Sequence, residues 1–223
     1  MGKIQEFINQ NKMFVALGGF IAIVFLVIFF TGAEKNVTNN LNNFVKNTTI
    51  EEAESYKMDL RIFGKYNNKG INKIIMVTNY KDTDKEITIT SGEKEEKYLV
   101  KEGKKYTVKD EKVSETDKVP YENTEVYLTG ANKLNDLQQV ADEKIGKVSY
   151  KVFKGTISTN DMQKIVDATD LELKVEKNAS VEVWLTQDNY VYKIYYRIGD
   201  LTIYPSYFGY GKMNKVNLDM YKA

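Results

Sequence analysis

The sequence contains no histidine and no cysteine, and only two prolines in 223 residues. Those first two absences remove Ser-His-Asp and Cys-His nucleophile systems, zinc sites built on histidine or cysteine, thiol redox chemistry and disulfides. Charge of one sign is also lacking: 32 basic residues stand against 31 acidic ones. No long-range field therefore favours a nucleic acid, and no nucleic-acid partner is expected. Two fragments imitate known motifs and fail on spacing. Asp82-x-Asp84-x-Glu86 with Glu93 mimics a calcium loop, but Ile87 stands where the turn requires glycine and Ile87–Thr90 reads as strand. Gly209-x-Gly211-Lys212 lacks the spacing and the Ser/Thr of a phosphate loop. The expectation is a protein that is not an enzyme and uses no cofactor or metal.

Against this background one long apolar run stands out. Met13 to Phe30 holds no charged side chain, and Thr31, Gly32 and Ala33 extend it to position 33. At about 1.5 Å per helical residue this spans a hydrocarbon core of roughly 30 Å, and a helix is the form that satisfies its own backbone there. A cleaved signal has an apolar stretch of only about 7–15 residues, so a retained anchor is the preferred reading. Residues 1–12 are then a cytoplasmic tail and 13–33 a transmembrane helix. The rest of the chain lies outside the cytoplasm, a plan favoured weakly by Lys3 and Lys12 against Glu6. The chain is thus expected in the cell membrane as a single-pass protein, and an exported domain that needs no disulfide points to a bacterial envelope.

Residues 34–55 read as a helical stalk, with Leu41, Phe44 and Val45 at helical spacing and a capping box at Thr48-x-x-Glu51. From residue 56 to 223 the period changes to two. Strands are expected at Tyr56–Phe63, Asn72–Tyr80, Lys85–Ser91, Glu96–Lys101 and Lys104–Lys109, joined by short turns into an antiparallel meander. Leu134, Leu137 and Ala141 suggest a second helical patch. A strand follows at Lys147–Ser158, then a short helix capped by Thr159 and carrying Met162, Ile165 and Val166. Strands Ser180–Gln187, Tyr190–Ile198 and Leu201–Tyr207 close the domain, with a last extended piece at Met213–Tyr221. Only Pro120 and Pro205 interrupt this pattern, and no linker marks a second domain. The fold class is α+β, a curved antiparallel β-sheet or half-barrel with a few packed helices.

Eight of the sixteen tyrosines fall between Tyr190 and Tyr221. Simple alternation places Tyr190, Tyr192, Ile194, Tyr196 and Ile198 on one side of their strand and Val191 and Tyr195 on the other, so both faces look apolar. Trp184 likewise opposes Val181, Val183 and Leu185. A sheet with one wet face alternates more cleanly. Plain core packing, a second layer of helices or an apolar cavity would each account for it.

The order of parts resembles the bacterial lipoprotein-carrier-like superfamily, that of the periplasmic lipoprotein localisation factor and of mycobacterial envelope lipoproteins that bind lipids. The resemblance rests on a leading helix, a long meander containing Lys97-Tyr98-Leu99-Val100-Lys101-Glu102-Gly103-Lys104-Lys105-Tyr106, a helical insertion at Leu134–Ala141, a strand–helix–strand unit at Val148–Leu173 and the closing Val181-Glu182-Val183-Trp184-Leu185 strand. It covers about Leu41–Ile203. It implies a bent sheet around an apolar cavity closed by helices, with an acyl chain or a lipidated protein as ligand. The transmembrane anchor departs from the soluble or lipid-modified forms of that family and speaks against shuttling between membranes.

The expected function is therefore a membrane-anchored extracytoplasmic protein that binds a lipid or an acylated protein. Phe153, Trp184, Val191, Tyr195 and Tyr204 are the expected ligand-lining residues, chosen as lying opposite a better-defined core face. The competing expectation is a structural or interaction module that meets an envelope protein partner through exposed Tyr207, Phe208 and Tyr210.

Overall fold

The computed structural model describes residues 55–66, 69–81, 84–140, 142–187 and 190–212. The expected tail, anchor and stalk, apart from Ser55, and the extended piece at Met213–Tyr221 lie outside these residues. Among the described residues no helix is long and apolar enough to cross a membrane.

Six strands form the first half of the sheet as a meander: β1 (Tyr56–Tyr66), β2 (Lys69–Asn79), β3 (Lys85–Ser91), β4 (Lys94–Lys101), β5 (Lys104–Lys109) and β6 (Lys112–Glu115). A short helix α1 (Glu125–Thr129) and a 3₁₀ turn (Gly130–Lys133) follow. Then come β7 (Leu134–Gln139), β8 (Glu143–Ile145), β9 (Val148–Ile157), helix α2 (Thr159–Asp167), β10 (Ala179–Leu185), β11 (Val191–Ile198) and β12 (Leu201–Phe208). The spatial order is β6-β5-β4-β3-β2-β1-β12-β11-β10-β9-β7, with β8 paired to β9. Every pairing is antiparallel, and the sheet is open rather than closed into a barrel. The last strand lies beside the first, so the two halves of the chain are joined at its centre.

That central seam needs a residue without a side chain. Gly64 has φ +128°, and a Cβ there would collide with the carbonyl oxygen of Asp200, which also accepts a 3.3 Å hydrogen bond from the Lys65 amide. Glycine is the residue that meets both demands.

Alternation sorts the sheet into two faces. Met58, Leu60 and Ile62 of β1, Ile75 and Val77 of β2, Val181, Val183 and Leu185 of β10, and Ile203 and Tyr207 of β12 are buried on one of them. This face meets α1 and α2, whose Met162, Ile165 and Val166 are buried in turn. Neither helix, at five and nine residues, is long enough to be stable alone. Tyrosine hydroxyls fasten them. Tyr196 donates to the Tyr127 carbonyl at 2.6 Å, Tyr127 to the Ala168 carbonyl at 2.8 Å and Tyr121 to the Thr169 carbonyl at 3.1 Å, while Tyr56 shares a 3.2 Å bond with Thr124.

Several sequence expectations change here. Leu134 and Leu137 lie on strand β7, not on a helix. The pairing of β7 with β9 slips between Asn135 and Gln138, and Asp136 takes φ +52°. This bulge inserts a residue, so two half-buried leucines stand three apart and imitate helical spacing. The α2 cap is Ser158, whose hydroxyl accepts from the Asp161 amide, while Thr159 bonds Asn178. Strands β6 and β8 and helix α1 are too short to leave a period. Tyr207, expected on the surface, is 1% exposed, because its parity puts it beside Met58 rather than in water. Phe208, one residue on, is exposed.

The seam makes a paired prediction. Tyr196→Phe leaves a buried carbonyl without its donor and should cost about 1–3 kcal/mol in urea unfolding, whereas the Tyr207 hydroxyl has no partner among the described residues, so Tyr207→Phe should be neutral or stabilising. Burial pushes the Tyr56 phenol up to about 12 and raises Tyr127, Tyr196 and Tyr207 as well. The unfolded chain releases those protons near pH 10, so their contribution to stability is fully present below about pH 10 and is lost above it. Urea midpoints measured from pH 8 to 11 check this, and a flat profile contradicts it.

Candidate functional site

On the helix-covered face, toward the end where β3 turns into β4, a partly enclosed pocket of about 330 Å³ is lined by Lys73, Ile89, Ser91, Lys94, Glu96, Pro120, Tyr121 and Asp170. Register explains the strand contributions: Lys73 pairs with Ile62, Ile89 with Ile75 and with Glu96, and Ser91 with Lys94, so all point to the side of the core. The lining mixes apolar Ile89 and Pro120 with polar and charged groups. Lys73 Nζ donates to the Tyr121 hydroxyl at 3.3 Å, and that hydroxyl donates onward to Thr169. Burial, and then the nearby Asp170 carboxylate, push the Tyr121 phenol well above its ordinary value and keep it a neutral donor.

Two of the lining residues are strained. Tyr121 has φ +57° and Asp170 φ +52°. Such backbone costs on the order of 1–3 kcal/mol per residue, and it persists where surrounding structure enforces it, often at ligand sites. Two lysines and two carboxylates cancel in charge, so the rim suits a ligand with a neutral or zwitterionic polar end rather than one strong charge. Among the described residues no group of three or more acidic side chains could hold a metal.

The opposite face of β9–β12 is built differently. Tyr195 stacks on Tyr204 with ring centroids 4.4 Å apart, and Tyr150 stacks on Tyr192 at 4.5 Å and tilts against Trp184 at 5.9 Å. Lys193, 6% exposed, places its ammonium 3.5 Å from the Trp184 ring centroid and donates to the Tyr195 hydroxyl at 3.2 Å. The indole donates to Glu182 at 2.7 Å, and Glu182 is flanked by Arg197 at 3.5 Å and Lys154 at 3.7 Å. The ring faces and the cation satisfy one another.

The five expected ligand-lining residues divide between these faces. Phe153 and Val191 are buried in the core, paired with Val183 and Leu185, while Trp184, Tyr195 and Tyr204 belong to the aromatic array. They do not all lie on one face of the sheet. For Val191 a bulge is the reason: Trp184 pairs with Lys193 but Leu185 with Val191, so Tyr192 is the extra residue and simple alternation fails beyond it. Tyr192 thereby leaves the side of Ile194 and joins Trp184. Lys73, Tyr121 and Asp170 escaped the sequence reading because they come together from distant segments. The one local signal was Val119-Pro120-Tyr121, which holds one of the two prolines.

No family model matches the sequence, and no curated protein does. Solved structures do. The lipoprotein LppX of Mycobacterium tuberculosis is similar at 15% identity and a TM-score of 0.57, over 83% of this chain and 99% of that one. LprF from Mycobacterium bovis is similar at 9% identity and a TM-score of 0.56, over 80% of this chain and 95% of that one. At these identities the likeness is one of fold.

Lys193 gives a local test. Burial lowers its pKa from 10.5, against the opposing pull of Tyr204 and carboxylates. The folded state thus disfavours the ammonium, and its contribution to stability should rise as pH climbs from the lowered folded value toward the unfolded one. Trp184 is the sole tryptophan, so its emission should change with a midpoint below 10.5, and the change should vanish in Lys193→Met. A titration identical in both proteins contradicts the cation–ring geometry. In architecture, this chain shares the fold of LppX and LprF.

Proposed function

We propose that this protein is a membrane-tethered, extracytoplasmic component of the cell envelope whose sheet domain binds an amphiphile, a lipid or an acylated protein, in a pocket at the margin of its helix-covered face. The observation that carries the reading is the pocket of Lys73, Ile89, Glu96, Tyr121 and Asp170 at the margin of the apolar face. Its 330 Å³ falls at the lower end of the roughly 300–1,000 Å³ typical of ligand pockets, enough for a polar end group and the start of a chain. The shared fold with LppX, a lipoprotein, supports an envelope setting, and the 18-residue apolar run Met13–Phe30 supports the tether. Burial at about 25 cal/mol per Å² supplies affinity for an apolar tail without a charged partner.

Phe153 and Val191 lie within the packed core of the covered face, and Trp184, Tyr195 and Tyr204 on the other. The experiment is chosen to tell the faces apart. Native mass spectrometry of the full chain, released from detergent micelles, should show a lipid-sized adduct. Ile89→Trp, which fills the pocket, should reduce the adduct several-fold, and Trp184→Ala should leave it unchanged. No adduct, or one lost with Trp184→Ala and kept with Ile89→Trp, contradicts the reading.

A further inference from the structure

The large apolar side chains left in water are not scattered. Six are exposed among the described residues, and four of them, Ile145 (45%), Val148 (48%), Tyr190 (45%) and Phe208 (41%), gather at one end of the sheet. Topology fixes this: β9 begins where β10 ends and β11 begins, with Leu185 pairing Lys151 and Val191, and β12 ends where β1 begins, with Phe208 pairing Lys57. The neighbouring hairpins are tied, since the Gln187 amide donates to the Ser149 carbonyl at 3.2 Å. Ile145 and Val148 face each other across the β8–β9 turn, which Lys144 and Lys147 flank. By register they share the face of Tyr150, which leads into Trp184 and Tyr192. Tyr190 continues into a row of rings through Tyr210, 5.3 Å away, to Tyr56 at 6.2 Å.

An apolar hairpin tip with lysines beside it and tyrosine or tryptophan behind it matches the chemistry of a bilayer surface. Aliphatic side chains enter the acyl boundary, lysines reach anionic headgroups, and amphipathic rings occupy the level between. Among the described residues Lys144 and Lys147 sit at this hairpin tip and Lys57 and Lys212 beside it, with Asp142 and Glu143 set back toward the base of β8. This is also the end at which the chain enters β1. Residues 34–55, 22 positions, separate the apolar run from that strand. They span about 33 Å if helical and at most roughly 75 Å extended, so a tethered domain stays within reach of its own membrane.

We infer that this end of the sheet, led by Ile145 and Val148, docks on the surface of an anionic lipid bilayer. The inference rests on the tether in the proposed function and not on ligand binding in the pocket. The chain has no cysteine, so single replacements can be labelled uniquely. Val148→Cys, Phe208→Cys and Lys65→Cys, the last exposed at the opposite end of the sheet, are made in the full chain, spin-labelled and reconstituted into phosphatidylcholine–phosphatidylglycerol vesicles. The labels at 148 and 208 should be reached by oxygen partitioned in lipid several-fold more than the label at 65, and Lys144→Glu with Lys147→Glu should reduce that contrast. Chain that fails to float with the vesicles overturns the tether and the docking together. Chain that floats with all three labels equally in water, or equally in lipid, overturns the docking alone. A label at 148 that is immobilised but beyond the reach of lipid-phase oxygen points to a protein partner and also overturns it.

Discussion

Two tyrosine hydroxyls from the sheet, Tyr56 and Tyr196, hold the segment around α1, two from that segment, Tyr121 and Tyr127, hold the end of α2, and much of the architecture follows from that requirement. A five-residue and a nine-residue helix bring little stability of their own. Their carbonyls would stay unpaired beneath a packed layer unless something donated to them. Tyr196, reaching from the sheet, and Tyr121 and Tyr127, from the segment around α1, supply those donors while filling the space between layers with rings. Phenylalanine would fill the volume and leave the carbonyls orphaned. The need for apolar bulk with one polar tip accounts for part of the tyrosine richness of this chain. It also packs the region beneath the helices with Tyr56, Tyr127, Tyr196 and Met162, all fully buried.

Because that region is filled, open space on the covered face lies at its margin, beyond Ile75 and Ile87, where Lys73, Tyr121 and Asp170 meet. The strained backbone of Tyr121 and Asp170 belongs to the same tie, since the Tyr121 hydroxyl that accepts from Lys73 is the one that secures Thr169. Fold stability and pocket shape are therefore coupled. A change that loosens the α2 end of the seam reshapes the rim as well.

Strand positions were largely legible in the sequence, because burial on one face imposes a period of two that β1, β10 and β12 obey cleanly. Two of the places where the periodicity misleads are bulges. Near Asp136 an inserted residue made a strand look helical, and near Tyr192 it carried Val191 back into the core and Tyr192 out of it. Periodicity cannot register a single inserted residue that keeps the chain extended. The apparent greasiness of β11 on both sides has the same origin, joined to an aromatic array whose rings stack on each other across strands. The pocket left almost no trace, since its residues are single polar or aromatic positions brought together by long-range pairing.

With a ligand proposed for the margin of the covered face and a membrane for the end where the chain enters β1, the stacked array of Trp184, Tyr195 and Tyr204 is left with a structural role on the sheet. Photo-crosslinking tests this division most directly. The full chain in bilayers containing a diazirine-bearing phospholipid would be irradiated, digested and mapped by mass spectrometry. Adducts on the β3–β4 hairpin near Ile89 and on the segment around Tyr121 are the predicted result. Adducts confined to Trp184, Tyr195 and Tyr204, with none around Ile89 or Tyr121, would contradict it.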